Sequence, residues 1–288
     1  MDFTLYDPVS ISEALDLLRR HGDGALPLAG GTDLLVRIKK GLVRPRVLVN
    51  LKGIAALDGM RMEGGRVSLG PLVTLAAVAK SPVLREHVPV LVETAGRMAS
   101  VQIRNLATVG GNIGNASPAA DLGPPLAALD AAVQVSGAGG VREAKVADFL
   151  TGPGVCARAP DELITGVSVP ACGPGERAVY LKYSLRRAHD IALVGVAVWL
   201  RLADGIIEDC RIALGAVGPT VVRAREAENA LRGASVAGVP LAEAGELAAA
   251  AARPIDDVRA KAAYRREITR VLVARALARA LTGKGEAH

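Results

Sequence analysis

The chain has 288 residues, half of them hydrophobic, with one Trp, two Phe and four Tyr, and a formal net charge of +6. That length allows two domains around a core of Ala, Val, Leu and Ile, and so few aromatic rings argue against reading single-stranded nucleic acid by base stacking. The longest apolar run, residues 191–200, is far shorter than the ~20 residues of a spanning helix, and Met1-Asp2-Phe3 does not open a signal peptide. Three isolated cysteines, Cys156, Cys172 and Cys210, lack metal-ligand spacing. No metal site is expected, and they read as the reduced thiols of a soluble, cytoplasmic protein.

Ser10 and Glu13 form a capping box that opens a helix, with Ile11, Ala14, Leu15 and Leu18 on one face and Gly22 at its end. A strand over 25–29 runs into Gly30-Gly31, Thr32-Asp33 open a helix carrying Leu34, Leu35 and Ile38, and Val47-Leu48-Val49 reads as the next buried strand. Strands are expected over 66–69, 132–136 and 163–169, and helices near 75–79 and 88–99. Between them lies a long, weakly periodic stretch, 102–125. Residues 171–175, Ala-Cys-Gly-Pro-Gly, make the best linker. Beyond it, 180–202 and 206–215 read as long antiparallel strands joined at Ala203-Asp204-Gly205. Helices follow over 222–231, 241–252 and 256–281. The last carries Arg259, Lys261, Arg265, Arg266, Arg270, Arg275 and Arg279, a solvated face by the usual behaviour of charge runs or, more sharply, a docking face for an acidic partner.

The first constellation with chemical content is Pro27-Leu28-Ala29-Gly30-Gly31-Thr32-Asp33-Leu34. Paired glycines leave amides unshielded, and the helix start behind them adds the positive end of a dipole, which together suit a pyrophosphate. Asp33 fits a helix cap better than a phosphate contact, since like charges repel. A tight turn is the plainer reading of this loop taken alone. A second glycine pair sits in Thr108-Val109-Gly110-Gly111-Asn112-Ile113-Gly114-Asn115-Ala116-Ser117-Pro118-Ala119-Ala120-Asp121, a segment too long and polar for a simple connection. Two such loops can grip a diphosphate from both sides. Neither is a Walker A sequence or a G-x-G-x-x-G fingerprint. Replacing Gly110 or Gly111 by Val is expected to cost the ligand and spare the fold.

Ala29-Gly30-Gly31-Thr32-Asp33-Leu34-Leu35, with residues 102–113, Gln-Ile-Arg-Asn-Leu-Ala-Thr-Val-Gly-Gly-Asn-Ile, resembles the FAD-binding medium subunit of molybdenum hydroxylases over essentially the whole chain. The family includes the flavoprotein subunits of carbon monoxide dehydrogenase and xanthine dehydrogenase. The resemblance implies an α+β protein, with a PCMH-type FAD-binding domain of two subdomains over 1–172 and a small antiparallel sheet plus helices over 173–288. It implies FAD pyrophosphate contacts from Pro27 to Leu34 and from Thr108 to Asn112. Asp121 matches a position that hydrogen-bonds ribityl or ribose hydroxyls, a task suited to a carboxylate acceptor; capping of a helix over 122–128 is its other reading. Ile164 matches a position near the adenine or flavin edge. Lys182 matches a lysine beside the pyrimidine edge of the flavin, where an ammonium favours the reduced ring; without the resemblance it would pass as solvent-facing. Ile191 stands where some members place a tyrosine against the ring, and His189 reads as a surface histidine.

The implied function is electron transfer within an oxidoreductase. A large partner subunit would carry molybdopterin and oxidise the substrate, a small one would carry [2Fe-2S] clusters, and this chain would pass electrons from those clusters through FAD to NAD⁺, a quinone, oxygen or another acceptor. The assembly implied is a dimer of heterotrimers, with no nucleic acid partner. This chain would contribute no catalytic acid, base or nucleophile. The cysteine-rich insertion of the 4-hydroxybenzoyl-CoA reductase branch is missing from the sequence. The rival is a stand-alone FAD-dependent oxidase or dehydrogenase with its own organic substrate, which would need a base near the flavin and more aromatic lining.

Overall fold

The computed structural model describes residues 2–186 and 190–283. His189 lies outside the described residues. The capping box forms: Ser10 Oγ accepts from Glu13 N at 3.2 Å, and Glu13 Oε2 accepts from Val9 N at 2.9 Å. The helix Ile11–His21 buries Ala14, Leu17 and Leu18. It packs on a small parallel sheet in the order Thr4–Tyr6, Val47–Asn50, Ala25–Leu28. The edge strand Thr4–Tyr6 carries no sequence signal, because its three residues are largely exposed.

The largest core surrounds a five-stranded antiparallel sheet, ordered Met60–Glu63, Arg66–Leu69, Leu163–Pro170, Ala132–Gly137, Gly140–Lys145. Both outer strands escape a hydrophobic reading because they are polar and exposed, as sheet edges tend to be. Gly64 and Gly65, at φ +55° and +73°, make the tight turn that pairs the first two. The weakly periodic stretch resolves into three short helices, Val101–Arg104, Val109–Asn115 and Gly123–Ala128.

The expected strand over 180–202 is two strands, Glu176–Tyr183 and Val194–Ala203, which pair antiparallel around a connection at 184–193. The break falls on the polar stretch Ser184-Leu185-Arg186-Arg187-Ala188-His189-Asp190, a signal in the sequence that the expectation of one long strand passed over. Ile206–Gly215 and Val222–Arg223 complete this sheet, the last taking the start of the expected helix over 222–231. Asp204 and Gly205, at φ +49° and +75°, turn the hairpin. The sheet is covered on both faces. Val194, Val196, Val198 and Leu200 face the C-terminal helices, whereas Ala197, Trp199 and Tyr180 join the central core.

Three helices, Arg225–Leu231, Leu241–Ala251 and Ala262–Thr282, close the outer face. A Cβ on Gly245 would stand 2.5 Å from the Arg270 carbonyl oxygen, so the last two helices approach almost backbone to backbone. The final helix begins six residues later than expected. Asp257 accepts from the Arg259 and Ala260 amides and Asp256 from the Ala262 amide, turning the chain before the helix starts. Its positive charge is largely compensated within the chain. Arg259 and Arg265 pair with Asp257, Lys261 with Asp256, Arg270 with Glu246 and Glu267, and Arg279 with Glu93. Among the described residues, no helix is long and apolar enough to cross a membrane.

Candidate cofactor site

The chain leaves the strand Ala25–Leu28, crosses the first glycine pair and enters the helix Leu34–Lys39. Gly31 takes φ +77°, which favours glycine. Leu35 N donates to Gly31 O, but the amides of residues 30–34 donate to no backbone carbonyl among the described residues. Five consecutive unused donors around a glycine turn are what an oxyanion needs. Asp33 occupies the capping position without making a capping bond, so the expectation that it caps the helix fails and its carboxylate stays exposed.

The second loop behaves differently. Gly110 N donates to Pro71 O at 2.9 Å, Gly111 N to Thr108 Oγ1 at 3.0 Å, Asn112 N to Thr108 O at 2.9 Å and Val109 N to Val73 O at 2.9 Å. Its glycines serve packing. A Cβ on Gly110 would lie 2.4 Å from Pro71 Cβ and 2.9 Å from Pro71 O. Gly110→Val would therefore disturb the backbone beneath the loop, and the expectation that it spares the fold is corrected. Val109 is a core side chain. The loops meet at Gly30, where an added Cβ would stand 2.0 Å from Leu106 O.

Together they wall a cleft of about 380 Å³. Of the residues singled out in the sequence, Pro27, Ala29, Gly30, Gly31, Thr32, Asp33, Leu34, Thr108, Gly110, Gly111, Asn112 and Ile164 line it, and Leu28 and Val109 do not. Ile164 sits at a β-bulge, where pairing with the strand Ala132–Gly137 slips between Ile164 and Gly166. Such bulges re-aim backbone and side chain at functional clefts. Arg37 and Arg158 add cations to the wall. Arg158 is held by the carbonyls of Ala159, Pro160 and Glu162. Sequence reasoning missed both because no motif marks an isolated arginine.

Asp121 and Lys182 are brought together elsewhere, in a second cavity of about 630 Å³ that shares no lining residue with the first. Asp121 is only 7% exposed. It does not cap the helix Gly123–Ala128, which has no side-chain cap. Its Oδ1 accepts from the Tyr180 hydroxyl and its Oδ2 from Lys182 Nζ, each at 2.8 Å. Lys182 Nζ also donates to Asp190 O at 2.7 Å. The lysine thus points into the molecule rather than into solvent. Burial, followed by the neighbouring Asp121 carboxylate, pushes the Tyr180 phenol well above its ordinary range, so it acts here as a neutral donor. Tyr180 was missed because its strand position reads as core. Ile191 is exposed beside this cavity's Asp190.

The cysteines stand apart from this chemistry. Burial raises Cys156 above its ordinary value, Cys172 to about 11 and Cys210 to about 12. None is a thiolate at neutral pH. Among the described residues, no cluster of His, Cys, Asp and Glu is arranged to hold a metal ion.

A family model described as the FAD binding domain in molybdopterin dehydrogenase matches residues 1–172, and one for the CO dehydrogenase flavoprotein C-terminal domain matches residues 179–280. The chain is 34% identical to the carbon monoxide dehydrogenase medium chain of Afipia carboxidovorans over 278 residues, 96% of each chain. It is 33% identical to the nicotine 6-hydroxylase medium subunit of Paenarthrobacter nicotinovorans, covering 95% of each. Among solved structures, carbon monoxide dehydrogenase from Hydrogenophaga pseudoflava superposes with a TM-score of 0.95 at 31% identity, covering 99% of both chains. The chain belongs to the FAD-binding medium subunits of molybdenum hydroxylases, a family of oxidoreductase flavoproteins. It carries their FAD-binding domain and their two-domain α+β fold.

Proposed function

We propose that this chain is the electron-transferring flavin subunit of a molybdenum hydroxylase complex, taking electrons from [2Fe-2S] clusters of one partner and delivering them to an external acceptor, while a molybdopterin-bearing partner oxidises the substrate. The observation that carries the reading is the run of five unused amides at 30–34, in residues that line a cleft walled by both glycine loops. Residues 30–34 would take the FAD diphosphate through those amides, with Arg37 and Arg158 as counter-charges. Thr108, Gly110, Gly111 and Asn112 would shape the opposite wall, since the amides of the last three are already bonded. Ile164 would flank the cofactor, and Asp121 and Lys182 would meet its flavin end in the second cavity. Bound FAD supplies the exchange between one-electron and two-electron transfer. Residues 1–172 would be the FAD-binding domain and 173–288 the C-terminal domain that contributes Lys182. A cytoplasmic location fits three separated cysteines held as thiols, and the complex would be a dimer of heterotrimers.

Cofactor released by heat should chromatograph as FAD, since a run of five free amides in residues lining the cleft exceeds what one monophosphate would use. Recovery of FMN alone would overturn the reading. The complex with its partners should bleach its flavin on anaerobic addition of substrate, and the chain alone should not.

Lys182→Met should lower the flavin reduction potential. Lys182 is 14% exposed on its side chain and paired with Asp121. Its removal takes a positive charge from the place where ring reduction adds a negative one, and leaves the Asp121 carboxylate there. One charge at an intermediate dielectric is worth about 1–2 kcal/mol, or roughly 20–45 mV for a two-electron couple. An unchanged or raised potential in a potentiometric titration would place Lys182 away from the ring.

A further inference from the structure

Six cations lie between Leu34 and Leu57, namely Arg37, Lys39, Lys40, Arg44, Arg46 and Lys52, with no carboxylate in that span. All six are exposed, and among the described residues none pairs with an anion of the chain. The contrast with the arginine-rich C-terminal helix is direct, because there Asp256, Asp257, Glu246, Glu267 and Glu93 answer most of the cations. Within the basic segment three aliphatic side chains are also exposed, Leu35 at 45%, Val36 at 47% and Leu42 at 70%. Like charges clustered in so short a segment repel one another and weaken the compact state, and exposed aliphatics among them gain nothing from water. A complementary surface relieves both.

We propose that the face formed by residues 35–46 docks another protein subunit that presents carboxylates around an apolar patch. The proposal rests on the reading of this chain as one subunit of a complex. Aliphatic side chains among charges are the make-up of a small interface with a polar rim, and the uncompensated charge would steer and orient the partner. A membrane surface fits less well: the helix Leu34–Lys39 has six residues, well short of the amphipathic helices that lie in an interface. Nucleic acid fits less well again, since residues 35–46 contain no aromatic side chain to stack on a base. Because Leu34, Arg37 and Val43 line the glycine-loop cleft, the docked subunit would lie against the outer wall of the cofactor site.

The test uses the full chain with a C-terminal tag, isolated with its companions from the cells that make it. Carbodiimide, which joins amines to carboxylates in contact, should link Lys39 or Lys40 to Asp or Glu of a companion identified by mass spectrometry. Lys39→Glu/Lys40→Glu/Arg44→Glu should weaken assembly at least about tenfold, since like charges across an interface cost several kcal/mol, while flavin content and melting temperature stay at wild-type levels. The milder Lys39→Gln/Lys40→Gln/Arg44→Gln variant should fall between, and it serves as the test if the reversed one folds poorly. Wild-type assembly by a folded variant, or cross-links confined to other faces, would overturn the docking surface and leave the subunit reading intact. Binding to vesicles of phosphatidylcholine and phosphatidylglycerol that the variant abolishes, with assembly unchanged, would overturn it in favour of a membrane. A wild-type chain that brings no companion at all would overturn both readings.

Discussion

Gly30→Ala should strip the protein of FAD. The added methyl would stand 2.0 Å from Leu106 O and 2.8 Å from its carbonyl carbon, and both are backbone atoms that cannot swing aside. The loops must then part. Overpacking of this kind costs about 1–3 kcal/mol, and it falls within the run of free amides at residues 30–34. A loss of ~3 kcal/mol transferred to binding is roughly 100-fold in affinity. Flavin absorbance per protein after gel filtration reads the effect, with far-ultraviolet circular dichroism as the check on folding. Full flavin occupancy in Gly30→Ala would mean that the two loops need not touch to hold the cofactor.

The second large effect belongs to the C-terminal domain. Glu228 is fully buried, and its carboxylate accepts from Arg223 Nε at 2.7 Å, Arg223 NH2 at 2.9 Å and the Ile212 amide at 2.9 Å. Glu228→Ala leaves a guanidinium and an amide without their acceptor, and breaking a buried pair from one side costs about 3–5 kcal/mol. For a chain of this size that is a fall in melting temperature of roughly 6–20 °C. Replacing both partners at once, Arg223→Met with Glu228→Met, should recover much of the loss, because no charge is then stranded. A single Glu228→Ala variant that melts with wild type would show that water already reaches this pair. Glu228 lines neither cavity, so flavin binding at low temperature should survive.

The parts of the fold that could be read from sequence are those where one local rule acts alone. Ser10 and Glu13 announce the first helix because a cap needs only neighbours in sequence. Asp204-Gly205 announces its hairpin for the same reason. The connection at 184–193 was legible in its polar residues, Ser184, Arg186, Arg187, His189 and Asp190, and only its end, Ile191-Ala192-Leu193, runs apolar into the buried strand beyond. The site was legible in its loops and not in their division of labour. Both glycine pairs look equally open in sequence. Only the fold brings Pro71 and Val73 up to bond the second loop's amides while leaving the first loop's free. The Asp121, Tyr180 and Lys182 contact joins residues about sixty positions apart, a separation at which spacing carries no information.

The close approach of the helices Leu241–Ala251 and Ala262–Thr282 follows from what fills them. Ala244, Ala248, Ala249, Ala252, Ala276 and Ala280 are buried there. Ordering an alanine forfeits no rotamer freedom, whereas each buried leucine or isoleucine gives up about 0.5–1 kcal/mol in side-chain entropy. Each alanine also removes little area from water, so the contact is made up by bringing main chains together, as the fit of Gly245 under Arg270 shows. Along this helix pair the contact rests on proximity, while Leu272, Val273 and Leu277 of the second helix supply bulk to the same core. The contact has almost no slack to absorb a larger side chain, and enlargement should be tolerated worst where the residues are smallest.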